Sequence, residues 1–198
     1  MKITANRAYP KFRQSLDKQR QLLQPWQGTA YRVTTLDYPK TILSGQGSFM
    51  FGGRWNAPNS FRAVYGSTTD TVAVAESRAN AEYAGIPYPF RTPRLLVAVE
   101  FNLEKVIDLT SAQNCRALGL NLDELGREDW RKLQAEGSES LTQAFGRAAF
   151  DGGMGAILAP SARVEGGVNL VYFPSNKGRE DSASVCESEK LDRIETRK

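Results

Sequence analysis

A chain of 198 residues with 40% hydrophobic content suits one compact α/β or α+β domain around one core, since domains run to roughly 100–200 residues. It contains no histidine, which excludes Ser-His-Asp and Cys-His nucleophilic machinery and histidine-bound zinc, leaving acid–base chemistry to carboxylates, Tyr, Lys or Cys. The net charge of +4 sits mainly at the N-terminus: residues 1–24 carry six Lys or Arg against Asp17, residues 175–198 balance to zero, and the body comes to about −1, which argues against a nucleic-acid partner.

The N-terminus MKITANRAYPKFRQSLDKQR has no apolar stretch like a signal peptide, and no apolar run approaches the ~18 residues of a membrane span. A mature start near Met1, a cytoplasmic location and no membrane partner are therefore expected. In residues 11–24, Phe12, Leu16 and Leu23 recur at roughly helical spacing among charges. This predicts an amphipathic helix packed on the body and closed by Pro25, so residues 1–28 form an N-terminal helical segment. From Tyr31 to Ser67 the pattern is strand, long loop, strand: AYRVTT, then SGQGSFMFGGRWNAPNS, then FRAVYGST.

Asp70 to Tyr83 is predicted as a helix capped by Thr69 or Asp70 and ended by Gly85-Ile86-Pro87. LLVAVEF (95–101) and KVIDLT (105–110) are expected as paired strands. The helical middle is punctuated by Gly126, Gly137 and Gly152, and the strands MGAILAP (154–160) and VNLVYFP (168–174) follow. Cys115 and Cys186 stand far apart, so neither a disulfide framework nor a zinc site is indicated. Residues 175–198 have almost no large apolar side chains and are expected to be a disordered polar tail.

Within the helix at 70–83, Val72, Glu76, Ala79 and Tyr83 fall on one stripe whose other members are apolar or aromatic. Either Glu76 faces a cleft with an arginine or hydrogen-bond donors beside it, or it reaches solvent from the edge of that face. GQGSFMFGGRWN (45–56) sets four glycines before Arg54 and Trp55. Such a loop is either an anion cradle of backbone N–H groups beside a guanidinium, or a structural turn. Trp55 is a core anchor or a base-stacking platform. Arg32 and Tyr65 alone read as ordinary strand residues, and Ser161 caps a loop or donates to a ligand. The carboxylates at 128–130 and Asp151 have no metal-site spacing.

Taken in order, YR at 31–32, LSGQGSFMFGGRWN at 43–56, AVYGS at 63–67, Glu76 eleven residues after Tyr65, DW at 129–130 and APSA followed by NLVYF resemble the RES-domain family, from about Ala30 to Pro174. The resemblance implies an α+β fold similar to ADP-ribosyltransferase toxins, with a mixed β-sheet core, flanking helices and a catalytic domain over 29–174. It further implies a toxin-like enzyme that consumes NAD⁺ as substrate, without a metal, by hydrolysis or phosphorolysis of the nicotinamide–ribose bond. Mono-ADP-ribosylation of a protein, nucleotide or nucleic-acid acceptor is the alternative activity, and an idle binding module is the third reading. The implied partner is an Xre-type antitoxin that blocks the cleft.

Carried onto this chain, the resemblance gives Glu76 a role at the nicotinamide ribose and places Tyr65 near the nicotinamide. Arg32 and Arg54 bind the NAD⁺ phosphates or ribose, Tyr31, Gly53 and Trp55 complete the NAD⁺ site, and Ser161 supports it. An oriented carboxylate suits this chemistry, because breaking the N-glycosidic bond develops oxocarbenium character. The chain departs from the family pattern at Ala57-Pro58-Asn59-Ser60, expected to reshape the cleft mouth, and at Val33, where some members carry an aromatic.

Overall fold

A computed structural model describes residues 3–36, 41–87, 93–189 and Leu191. Helix α1 (Tyr9–Lys18) carries Pro10 in its first turn, which its fixed φ suits, and buries Phe12 and Leu16. It ends well before Pro25, because Leu23 already belongs to strand β1 (Leu23–Thr35). The expected helix over 11–24 is thus shortened. Pro25 lies instead at the register shift between Gln24 and Trp26, where a residue without an N–H can interrupt the ladder.

The loop after β1 contains a short helix, α2 (Gln46–Phe51), and leads into β2 (Val64–Ser67). Helix α3 (Asp70–Tyr83) has the expected bounds, with the Thr69 side chain accepting from the Val72 N–H. The two strands expected over 95–110 are one continuous strand, β3 (Arg94–Asp108). Its length follows from its partner: β1 pairs antiparallel with it from Leu23 opposite Ile107 to Thr35 opposite Arg94. Helices α4 (Ala112–Leu118), α5 (Leu122–Arg127), α6 (Trp130–Ala135) and α7 (Leu141–Asp151) follow, then β4 (Ala156–Pro160) and β5 (Val168–Tyr172).

On its other edge β3 pairs in parallel with β4 at Val106–Asp108. β4 pairs with β5, β5 with β2, and Tyr31 of β1 with Ser67 of β2. The five strands therefore close on themselves as a mixed sheet. Tyr31, Ser67 and Asn169 become neighbours across three strands, since Ser67 also stands opposite Asn169.

The period-2 alternation of the strands divides the interior into two apolar clusters rather than the single core expected. Ile157, Ala159 and Val171 join Phe12, Leu16, Phe145 and Ala148 under α1 and α7. Ala156, Leu158, Leu170 and Tyr172 instead join Val97, Val99 and Phe101 on the opposite face.

The polar tail is likewise corrected within the described residues. β6 (Ser182–Val185) pairs antiparallel with β3 at Val99–Asn102. Buried Asp181 accepts from the Glu104 and Gly178 N–H groups at 2.8 and 2.7 Å. Backbone pairing to an open strand edge needs few apolar side chains, so composition alone did not reveal it. Residues 190 and 192–198 lie outside the described residues.

Candidate active site

Helix α3 presents two faces that the stripe reading merged. Val72 is buried, while Tyr83 is 61% exposed. Ala73, Glu76, Ser77, Asn80 and Ala81 line a cleft of about 490 Å³, following the i, i+3, i+4, i+7, i+8 progression of one helix side. Glu76 thus faces a cleft. Its Oε1 accepts from Ser161 Oγ at 2.7 Å and from Asn169 Nδ2 at 2.8 Å. Its Oε2 accepts no hydrogen bond from the described residues. The donors are oriented in turn: Asn169 Oδ1 accepts from Ser67 Oγ at 2.7 Å, and Ser161 Oγ accepts from the N–H groups of Arg163 and Val164.

The glycine-rich segment is built around Tyr65. Its hydroxyl donates to Asn56 Oδ1 at 2.7 Å and accepts the Trp55 N–H at 3.0 Å. A Cβ on Gly53 would lie 2.5 Å from that hydroxyl, so only glycine allows the approach. Asn56, fully buried, donates to the Ser48 and Phe61 carbonyls. Gln143 of α7 donates to the Gly53 carbonyl at 3.0 Å, and Gly146 packs against Trp55, where an added Cβ would stand 1.8 Å from the Trp55 carbonyl oxygen.

At Gly52, Gly53 and Trp55 this framework makes the loop a structural turn rather than an anion cradle. The N–H groups of Gly52 and Gly53 bond to Ser48 O and Asn56 O, and that of Trp55 is taken by Tyr65. Beside Gly47 and Ser48, the loop offers the cleft the Arg54 guanidinium, whose Nη1 donates to Leu125 O at 3.2 Å. Burial pushes the Arg54 guanidinium below its ordinary range, and the Glu76 carboxylate opposes that shift. Arg32 is likewise lowered by burial. Its Nη1 donates to Tyr65 O at 2.7 Å, while its Nε is buried without a protein partner among the described residues. Burial pushes the Tyr65 phenol well above its usual value of 10.0.

Of the predicted residues, Tyr31, Arg32, Gly53, Arg54, Trp55, Tyr65 and Glu76 all line the cleft. Trp55 is nevertheless only 6% exposed, and its ring stands edge-on to Phe145, so it serves as a core anchor. Ser161 does not line the cleft; it acts on Glu76 from behind. Val33 reaches the cleft wall, whereas 57–60 form a turn outside the lining, with Asn59 at a φ of 59° and its N–H on Phe49 O.

Sequence reasoning missed Asn56, Gln143, Asn169, Arg131 and Arg163. Asn169 carried a usable signal as the one polar residue in VNLVY, and Gln143 forms the capping box of α7 with Ser140. Arg131 is clamped: its guanidinium carbon sits 4.3 Å from the Trp130 ring and 4.5 Å from the Tyr83 ring, and its Nη2 donates to Asn80 Oδ1.

A family model described as RES domain matches residues 29–193. The NAD(+) phosphorylase MbcT of Mycobacterium tuberculosis (strain ATCC 25618 / H37Rv) is 33% identical over 153 residues, covering 74% of this chain and 72% of that protein. MbcT of Mycobacterium bovis matches to the same extent. The crystal structure of the M. tuberculosis MbcT–MbcA toxin–antitoxin complex has a TM-score of 0.64 and 25% identity, covering 94% of this chain and 97% of the other.

Proposed function

The chain belongs to the RES domain family, and from that premise we propose that it cleaves the nicotinamide–ribose bond of NAD⁺ with inorganic phosphate as the acceptor. The observation that carries this reading is the Glu76 carboxylate, held at Oε1 by Ser161 and Asn169 with no donor from the described residues on Oε2. A fixed carboxylate stabilises the positive charge that develops on the ribose as nicotinamide departs, and a preorganised one does so without reorganisation at that moment.

Arg32 and Arg54 serve the phosphates or ribose of NAD⁺. Tyr31 and Gly53 complete the binding wall, and Tyr65 acts mainly as a positioning residue, because its hydroxyl is engaged by Trp55 and Asn56. Nicotinamide leaves as a neutral molecule, so no strong acid is needed at the leaving group. The name of the relatives, a phosphorylase, favours a small acceptor over transfer to a macromolecule. The intact hydrogen-bonded network disfavours an idle binding module.

A toxin role with a protein antitoxin over the cleft is supported by the solved toxin–antitoxin neighbour. It is also supported by the exposed Met50, Phe51, Tyr83 and Ile86 on α2 and at the end of α3, elements that wall the cleft. The experiment for the reaction is phosphorus NMR of NAD⁺ incubated with the chain in phosphate buffer. A new sugar-phosphate resonance beside the pyrophosphate signals is expected. Free ADP-ribose as the sole product would favour hydrolysis instead.

A further inference from the structure

Among the described residues, Arg32, Arg54, Arg131 and Arg163 line the cleft as cations, against the carboxylate of Glu76. NAD⁺ offers one pyrophosphate, and its nicotinamide ring carries a positive charge, so it accounts for only part of that surplus. The arginines also divide by place. The Arg54 guanidinium feels the charges of Glu76 and Arg163, and the Arg131 guanidinium those of Arg163 and Arg54. Arg32 interacts with Tyr65, on the β1–β2 side. Converging cations repel one another unless an anion sits among them.

Arg131 is built differently from a solvated surface arginine, and Arg163 stands free, among the described residues, beside Glu76's hydrogen-bond partner. Arg131 is fixed between the Trp130 and Tyr83 rings and on Asn80, which removes the rotamer freedom that normally weakens an ion contact. Arg163 lies on the cleft wall with no hydrogen bond or ion pair from its side chain among the described residues. Its backbone N–H bonds to Ser161 Oγ at 3.1 Å, the same hydroxyl that donates to Glu76. Arg163 is therefore tied by one intervening side chain to the carboxylate at the reacting ribose.

We propose that Arg131 and Arg163 form the subsite for the incoming inorganic phosphate, delivering it beside Glu76 while NAD⁺ occupies the remainder of the cleft. This rests on the phosphorolysis reading and adds the residues that select the acceptor. In the step, an oxygen of hydrogen phosphate forms a bond to C1 of the nicotinamide ribose. The C–N bond breaks with its electron pair going to the ring, and neutral nicotinamide leaves. The phosphate proton stays on the new ester or passes to water. Arg131 supplies a rigid guanidinium fork and Arg163 an adaptable one, both suited to bidentate phosphate contact.

The test is steady-state nicotinamide release by the full chain, with inorganic phosphate varied at saturating NAD⁺ and NAD⁺ varied at saturating phosphate. Arg163→Ala is expected to raise the KM for phosphate by at least ~10-fold and to leave that for NAD⁺ within about 3-fold, with Arg163→Lys in between, as for loss of a charge-assisted phosphate contact. Arg163 is exposed, so the variant should retain the wild-type melting temperature. A phosphate-dependent wild type whose KM for phosphate survives Arg163→Ala overturns the subsite alone. So does an equal rise in both KM values, which would place the arginine on NAD⁺. A wild-type rate independent of phosphate overturns the phosphorolysis reading and the subsite with it.

Discussion

Ser161 Oγ donates to Glu76 Oε1 at 2.7 Å across 85 residues of sequence, and Asn169 Nδ2 reaches the same oxygen at 2.8 Å. Two donors on one carboxylate oxygen fix its plane and leave the other oxygen for the substrate. Ser161→Ala and Asn169→Ala are each expected to lower kcat by ~10- to 100-fold, the scale of a hydrogen bond to a charged group, with the KM for NAD⁺ little changed. Equal loss in kcat and rise in KM would assign these residues to substrate binding instead.

Tyr65→Phe removes the hydroxyl that takes the Trp55 N–H and donates to Asn56. Both partners are then left short inside the fold. Urea unfolding is expected to show a loss of ~1–3 kcal/mol, the penalty for unsatisfied buried groups, together with reduced nicotinamide release. Unchanged stability would mean that the loop is held by other contacts.

The same phenol gives a pH prediction. Burial raises its folded value above the usual 10.0, which favours the neutral form in the folded state. The associated stability is present below pH 10.0 and is lost only as pH rises toward the folded value. Ultraviolet difference titration of wild type against Tyr65→Phe should therefore show no tyrosinate from Tyr65 below pH 10.0. An extra tyrosinate signal in the wild type near neutral pH would contradict the enclosed hydroxyl.

Gly146→Ala places a methyl group 1.8 Å from the Trp55 carbonyl oxygen. Backbone meets backbone there, so α7 or the loop bearing Arg54 must shift. A loss of at least ~1–3 kcal/mol is expected, in line with overpacked cores. Thermal unfolding measures it, and activity should fall even where the fold survives. A wild-type melting temperature would show that the loop yields without cost.

How far these relationships were legible in the sequence depended on their range. Helix α3 was legible with its bounds, because Thr69 and Gly85-Ile86-Pro87 are local signals. The cleft-lining set was legible mainly through ordered motifs, since Arg32, Arg54, Tyr65 and Glu76 each look ordinary alone. Which side of α3 met the cleft was not, because Tyr83 shares the stripe yet lies exposed at the helix end. Strand β6 was missed because its anchoring depends on the β3 edge and on Asp181 bonding to Glu104 across 77 residues. The charge surplus also escaped notice, since Arg131 and Arg163 come to line one cleft only once α6 and the loop after β4 are folded around it.

The most direct measurement is nicotinamide release from NAD⁺ by the purified chain beside its Glu76→Gln variant, which keeps the size of the side chain and removes its charge. Release by the wild type that falls by at least ~100-fold in the variant, with circular dichroism unchanged, is expected for loss of a positioned electrostatic group. Equal release by both proteins would contradict the assignment of Glu76 as the centre of the reaction.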